Sequence, residues 1–254
     1  MCDFKWSRFV AALRWDYELS KRTFLRKFIA LFFSSMLIIY LFRFSGDVGF
    51  YVFFLSAVAI FGVSKAFASL KMKQHYVSYL MVPASNMEKF VVKWVLYTVV
   101  WVVMALLAFA LADVALLLLS KVFGAWGFSS QEQIPTIAEI WRNLQAGGCF
   151  SVSSLVPFVI IVVWMHSIYL LGGLFFRRNA TLFTTIVCFA VSVLILIIIA
   201  KFVASVDWDV YEVNRVVARW YLIIGCSFFT ILNYFLSYRI FKRLQVIAPK
   251  WVNV

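Results

Sequence analysis

The side chains best placed to do chemistry lie in one polar stretch and at two isolated points inside apolar runs. The stretch is Lys71-Met72-Lys73-Gln74-His75-Tyr76-Val77-Ser78-Tyr79-Leu80-Met81-Val82-Pro83-Ala84-Ser85-Asn86-Met87-Glu88-Lys89-Phe90. Its first part is basic and carries Met72, Tyr76, Tyr79 and Leu80 at helical steps. Pro83 disfavours helix at Val82 and ends that pattern. Ser85 and Glu88 then have the spacing of a capping box, so a new helix is expected to start there and run on into an apolar segment. A short helix along a membrane, a sharp corner and a capped helix entering lipid could carry force from a soluble partner into the bilayer. A plain loop followed by a well-capped helix would have the same pattern. The isolated points are Asp113, toward the outer end of one apolar run, and His166, in the middle of another beside Trp164. Ionisable groups at membrane depth are costly and are functional candidates by default. Asp113 could line a cavity, whereas His166 fits an interhelical hydrogen bond better than a proton or substrate site.

Several chemistries lack their residues. The chain has no Gly-x-x-x-x-Gly-Lys-Ser/Thr loop to cradle ATP phosphates and no His-Glu-x-x-His pair to hold zinc. Its only histidines are His75 and His166, and no apolar run holds paired carboxylates, so an intramembrane protease or metalloenzyme is disfavoured. No catalytic residue, cofactor or metal is expected. Cys2, Cys149, Cys188 and Cys226 form no Cys-x-x-Cys pair. Cys188 and Cys226 fall in apolar runs and suit packing, while Cys149 would face outward, where a disulfide between subunits is conceivable.

The elements that must position these residues are membrane helices. Of 254 residues, 65% are hydrophobic and 14% charged, against about a quarter charged in a soluble domain. Six apolar runs predict crossings at about 28–43, 48–69, 90–119, 152–176, 181–205 and 219–241, which leaves no room for a soluble catalytic domain. Residues 1–27 form a basic leader with Trp6, Phe9, Val10, Leu13 and Tyr17 at helical steps, suited to an amphipathic helix lying in the inner interface. The leader is too long for the n-region of a cleavable signal peptide. Gly172-Gly173 predicts close helix packing, and Arg177-Arg178-Asn179-Ala180 a tight inner turn. The segment 120–151 is read as an external loop with a short helical pattern around Ile137, Ile140, Trp141 and Leu144.

Loop charge sets the orientation. Lys65, Lys71, Lys73, Lys89, Lys93, Arg177, Arg178, Arg239, Lys242, Arg243 and Lys250 share one side with the seven cations of the leader. Asp47, Glu132, Glu139, Asp207, Asp209 and Glu212 lie on the other. By the positive-inside rule both termini are cytoplasmic. The net charge of +13 is then explained by loops that meet anionic lipid, and nucleic-acid binding is not expected.

The order Lys-x-Lys-Gln … Tyr-Leu-Met-Val-Pro-Ala-Ser-Asn-x-Glu-Lys-Phe resembles a segment of ABC-transporter permeases of the type-2 exporter class. It is closest to the small six-helix permeases, encoded without a fused ATPase, that are common in Bacteroidetes. The leader, the six crossings, the inner termini and the ending Tyr238-Arg239-Ile240-Phe241-Lys242-Arg243-Leu244-Gln245 fit that layout. The resemblance implies an all-α permease domain in a bacterial inner (plasma) membrane. The leader would be the connecting helix, and residues 66–81, within an inner segment 66–89, the coupling helix for a separate ATP-binding subunit. It also implies a second permease chain. Tyr76, Tyr79, Leu80 and Met81 would dock the ATPase, with Pro83, Ser85 and Glu88 holding the corner. The expected external helices follow the third crossing instead of lying between the fifth and sixth, unlike polysaccharide-exporting members. A membrane scaffold or sensor accessory that recruits cytoplasmic partners through the same basic face needs no ATPase. A neighbouring reading frame for an ATPase with a phosphate loop separates the two.

Overall fold

The computed structural model describes residues 4–42, 48–67, 77–79, 81–122, 152–176, 179–205 and 215–243. Six long helical elements follow one another: α1 (Trp6–Phe42), α2 (Val48–Val63), α3, α4 (Val152–Phe175), α5 (Ala180–Ser205) and α6 (Arg215–Arg243). α3 is built of three abutting pieces, Asn86–Val95, a π-helical segment Leu96–Val100 and Trp101–Val122. Five of the helices are long and apolar enough to cross a membrane, and α2 contributes a shorter apolar helix, Gly49–Val63. The chain is therefore a helical membrane protein. Most of the external segment 120–151, along with Cys2, Cys149, Arg177 and Arg178, lies outside the described residues.

The leader does not form a helix of its own. α1 runs unbroken for 37 residues, from the charged leader into the apolar crossing. No Gly or Pro stands between Trp6 and Phe42, so a change of charge density alone does not interrupt the backbone hydrogen-bond ladder. A helix of this length spans about 55 Å, well beyond the roughly 30 Å hydrocarbon core. The charged half of α1 must therefore extend past the lipid. Of the apolar leader positions, Phe9 is buried, whereas Trp6 and Val10 are exposed.

The chain divides into two compact units, Met1–Gly62 with Val82–Val156, and Val63–Met81 with Pro157–Val254. In the first, matching levels of α1 and α3 meet in the same chain order: Arg8 with Glu88, Asp16 with Lys93, Phe24 with Tyr97, and Ile39 with Phe109 and Ala112. α1 and α3 are thus parallel. α2 runs back between these levels, with Tyr51 6.0 Å from Phe109 by ring centroids and the Val58 carbonyl accepting from Trp101 Nε1 at 2.9 Å. The core of this unit is Ile39, Tyr51, Phe109, Ala112 and Leu116.

In the second unit two glycines of α4 allow close approach, Gly172 to α5 and Gly173 to the backbone of Ser64. A Cβ on Gly172 would lie 1.9 Å from Thr184 Oγ1, and one on Gly173 2.7 Å from the Ser64 carbonyl oxygen. Asn179 makes the turn into α5 at φ 48°, a left-handed conformation that Asn tolerates better than most residues. Beyond this hairpin α5 is apolar all round, and every residue from Phe189 to Ile198 is exposed, a surface that only lipid or another membrane chain suits.

Trp101 is the junction of the three helices of the first unit. Its indole lies flat against Gly62, where a Cβ would fall 1.8 Å from Nε1. Gly62→Ala is expected to lower the stability of the detergent-solubilised protein by about 1–3 kcal/mol through overpacking. Gly225→Ala, at a site where a Cβ meets nothing within 4 Å, should leave it unchanged. Thermal unfolding of the two variants side by side checks this.

Candidate functional site

The corner expected from Pro83, Ser85 and Glu88 is formed in detail. Residues 81–84 turn and bend, and α3 starts at Asn86 with Ser85 as its N-cap. Ser85 Oγ accepts from the Glu88 N–H at 3.2 Å, and the Ser85 N–H donates to Glu88 Oε2 at 2.7 Å. The capping box satisfies two otherwise orphaned backbone donors and turns the carboxylate back against the start of the helix.

Glu88 has a second role that its spacing does not reveal. Its other oxygen, Oε1, accepts from the Lys5 backbone N–H at 2.8 Å and from Arg8 Nη2 at 3.1 Å. The side chain is fully buried by these partners. One carboxylate thus caps α3 and ties it to the first turn of α1. Further up the same seam Lys93 Nζ meets Asp16 Oδ1 at 2.7 Å, with both side chains at most 2% exposed. Charges this dry are tolerated only as a pair, because either one alone would remain desolvated without compensation.

A ring of aromatic side chains closes the seam. Phe24 and Tyr97 lie 5.5 Å apart, and Lys27 Nζ stands 5.6, 5.0 and 5.2 Å from the ring centres of Phe24, Tyr97 and Trp101. Lys27 is the last cation of α1 before Arg43, and Lys93 the last of α3 before Lys121. A Lys with Tyr and Trp is the side-chain set of a membrane interface. Both ion pairs stand on the cation-rich side of this ring. Residues 6–27 and 86–96 form a two-helix stalk whose facing surfaces are bonded.

The other expected site residues are distributed as follows. Tyr76 and Leu80 lie outside the described residues. Tyr79 lies in a helical stretch described over Val77–Tyr79 and is buried, whereas Met81 is 80% exposed and Pro83 exposed. Asp113 is buried on α3 within the first unit. His166 is buried in the second, where Nδ1 shares a hydrogen bond of 3.0 Å with the Tyr234 hydroxyl. One residue along each helix, Asn233 Nδ2 donates to Ser167 Oγ at 3.1 Å, which donates to the Trp164 carbonyl at 2.6 Å. This polar ladder sets the register of α4 on α6, and Tyr234 and Asn233 are members that sequence reasoning missed. Among the described residues no group of three or more His, Cys, Asp or Glu could hold a metal ion.

Lys5, Arg8 and Asp16 also escaped the sequence reading. Asp16 carried a usable signal, since it falls on the face of Phe9, Ala12 and Phe24, the buried stripe of α1. A carboxylate on such a stripe needs a cationic partner, although the stripe does not say which one. No family model, no curated protein and no solved structure matches this chain.

The pair can be tested without any knowledge of activity. Lys93→Met leaves Asp16 buried and uncompensated, and is expected to lower stability by about 3–5 kcal/mol. The double variant Asp16→Leu/Lys93→Met removes both charges and should recover most of that loss. Unfolding transitions of the wild type, both single variants and the double variant provide the cycle.

Proposed function

We propose that this chain is the membrane-spanning subunit of an ABC exporter in a bacterial plasma membrane, driven by a separate ATP-binding subunit. Both termini and residues 66–89 are cytoplasmic in this reading, following the charge bias of the loops. The working unit is two permease chains with two ATPases, and this chain supplies neither a catalytic group nor a cofactor. The observation that carries the reading is the capped corner of α3 bonded to α1 outside the lipid. A soluble partner that presses on the corner moves two crossings, because Glu88 and Asp16 couple α3 to α1 before either helix enters the bilayer.

Met81 and Pro83 are the exposed docking side chains among the described residues. Tyr79 is buried and is not a docking side chain in this reading, and Ser85 and Glu88 hold the corner. The ATP-bound partner favours one of two states that open to opposite sides, by as much as its affinity differs between them. Asp113 and His166 are two buried polar groups of the crossings on which a translocation pathway would draw.

Met81→Asp tests the docking face. An exposed side chain tolerates the substitution in the folded chain, but a charge at the centre of an interface costs about 2 kcal/mol or more in binding. Co-purification of the ATP-binding subunit encoded beside this chain should fall about thirtyfold, with the yield of the permease unchanged. Undiminished recovery of that subunit would remove Met81 from the interface and weaken the transporter assignment.

A further inference from the structure

The π-helical segment Leu96–Val100 sits where the two bonded parts of α3 meet. A π turn accommodates one residue more than an α turn and seldom occurs without a role. Below it the buried stripe of α3 is centred on Lys89, Val92, Lys93 and Leu96, with Glu88, Phe90 and Tyr97 buried at its edges. Continued at α-helical spacing, that stripe would next reach Val100, Met104, Leu107, Leu111 and Val114. The buried residues are instead Trp101, Ala105, Ala108, Ala112 and Asp113, while Leu107, Leu111 and Val114 are each at least 51% exposed. The upper stripe is displaced by one residue, and the π turn absorbs the displacement.

Both ends of α3 are held. The lower part is bound to α1 through Glu88 and Lys93, and the upper part packs in the core of Ile39, Tyr51, Phe109, Ala112 and Leu116. The unused stripe is apolar at every position, so α3 carries two faces that can fill the same interior. They differ in one chemical respect: only the observed face brings Asp113 inside.

We infer that Leu96–Val100 is a register switch. When its π turn becomes α-helical, the upper part of α3 rotates by about 100°, the angle of one residue, and advances by about 1.5 Å. Leu107 and Leu111 turn inward, and Asp113 takes the exposed place of Val114. The switch alternately hides and displays a carboxylate without moving the stalk. Trp101 works as its catch, because the rotation must draw the indole off Gly62 and break its hydrogen bond to Val58. The rotation needs neither an ATP-binding partner nor a substrate, so its test is independent of the proposed function.

The test uses the full-length chain in lipid nanodiscs, with its four cysteines replaced and spin labels introduced pairwise. Leu107→Cys with Phe53→Cys joins the upper part of α3 to α2, both at exposed positions. Met87→Cys with Val10→Cys joins the lower part to α1, also at exposed positions. Electron–electron distance measurements should give two populations for the upper pair, separated by about 5–10 Å, and one for the lower pair. Deleting Val99 removes the extra residue and leaves both buried stripes aligned in a continuous α-helix, so the upper pair should collapse to a single distance. A single distance for the upper pair in the undeleted chain overturns the switch. So do two distances that survive the deletion, or two distances in the lower pair. If the deletion variant fails to fold, the undeleted chain decides by the same criterion: two upper distances with one lower distance sustain the switch, and any other result overturns it.

Discussion

The buried charge pairing between α1 and α3 is the constraint on which the rest of the first unit depends. Two helices that touch only through apolar side chains can slide and turn at small cost, because one aliphatic contact replaces another. Asp16 and Lys93 do not permit this, since any rotation that separates them leaves two charges in a dry contact. Glu88 adds a second fixed point through the Lys5 N–H and Arg8. Two fixed points along a helix pair set both its azimuth and its register. The aromatic ring of Phe24, Tyr97 and Trp101 around Lys27 follows from that register, and so does the mismatch that the π turn accommodates.

The second unit satisfies its polar groups differently. Thr184, Thr185, Ser192, Thr230 and Ser237 each donate to the carbonyl four residues earlier in their own helix. Each of these hydroxyls places its proton within its own helix, which is the economical solution where no water is present. His166 with Tyr234 and Ser167 with Asn233 reach between α4 and α6, and the Tyr169 hydroxyl shares a hydrogen bond of 2.9 Å with Thr185 between α4 and α5. α4 and α6 are therefore held by two directional bonds in a largely apolar contact, whereas α4 meets α5 by close approach at Gly172 together with the Tyr169–Thr185 bond, and meets the Ser64 backbone at Gly173. Interhelical hydrogen bonds in lipid are individually modest, so they specify register more than they add stability.

The two devices of α3 act at different heights. The stalk is a rigid coupling in the charged part of the two helices, with every described acid in it engaged: Glu88 by Arg8, Asp16 by Lys93 and Glu18 by Lys21. The π segment is a compliant joint where the apolar part of α3 begins. A lever joined to a joint can move the apolar part of a helix while the contacts of its charged part stay intact.

Much of this layout was legible in the residues. The helical class, the apolar runs and the glycine contact at Gly172 and Gly173 followed from composition and spacing, because lipid sorts side chains helix by helix. The capping box at Ser85 and Glu88 was equally plain, since both partners lie within one turn. The joining of leader and crossing into one helix was not, because the change in charge density drew attention from the absence of any residue that stops a helix. The ion-pair partners, the burial of Tyr79 and the displaced stripe of α3 were decided only in the tertiary structure. A sequence states which residues share a face of one helix, but the angle at which that face meets its neighbour depends on the neighbour, and Asp16 and Lys93 are 77 residues apart.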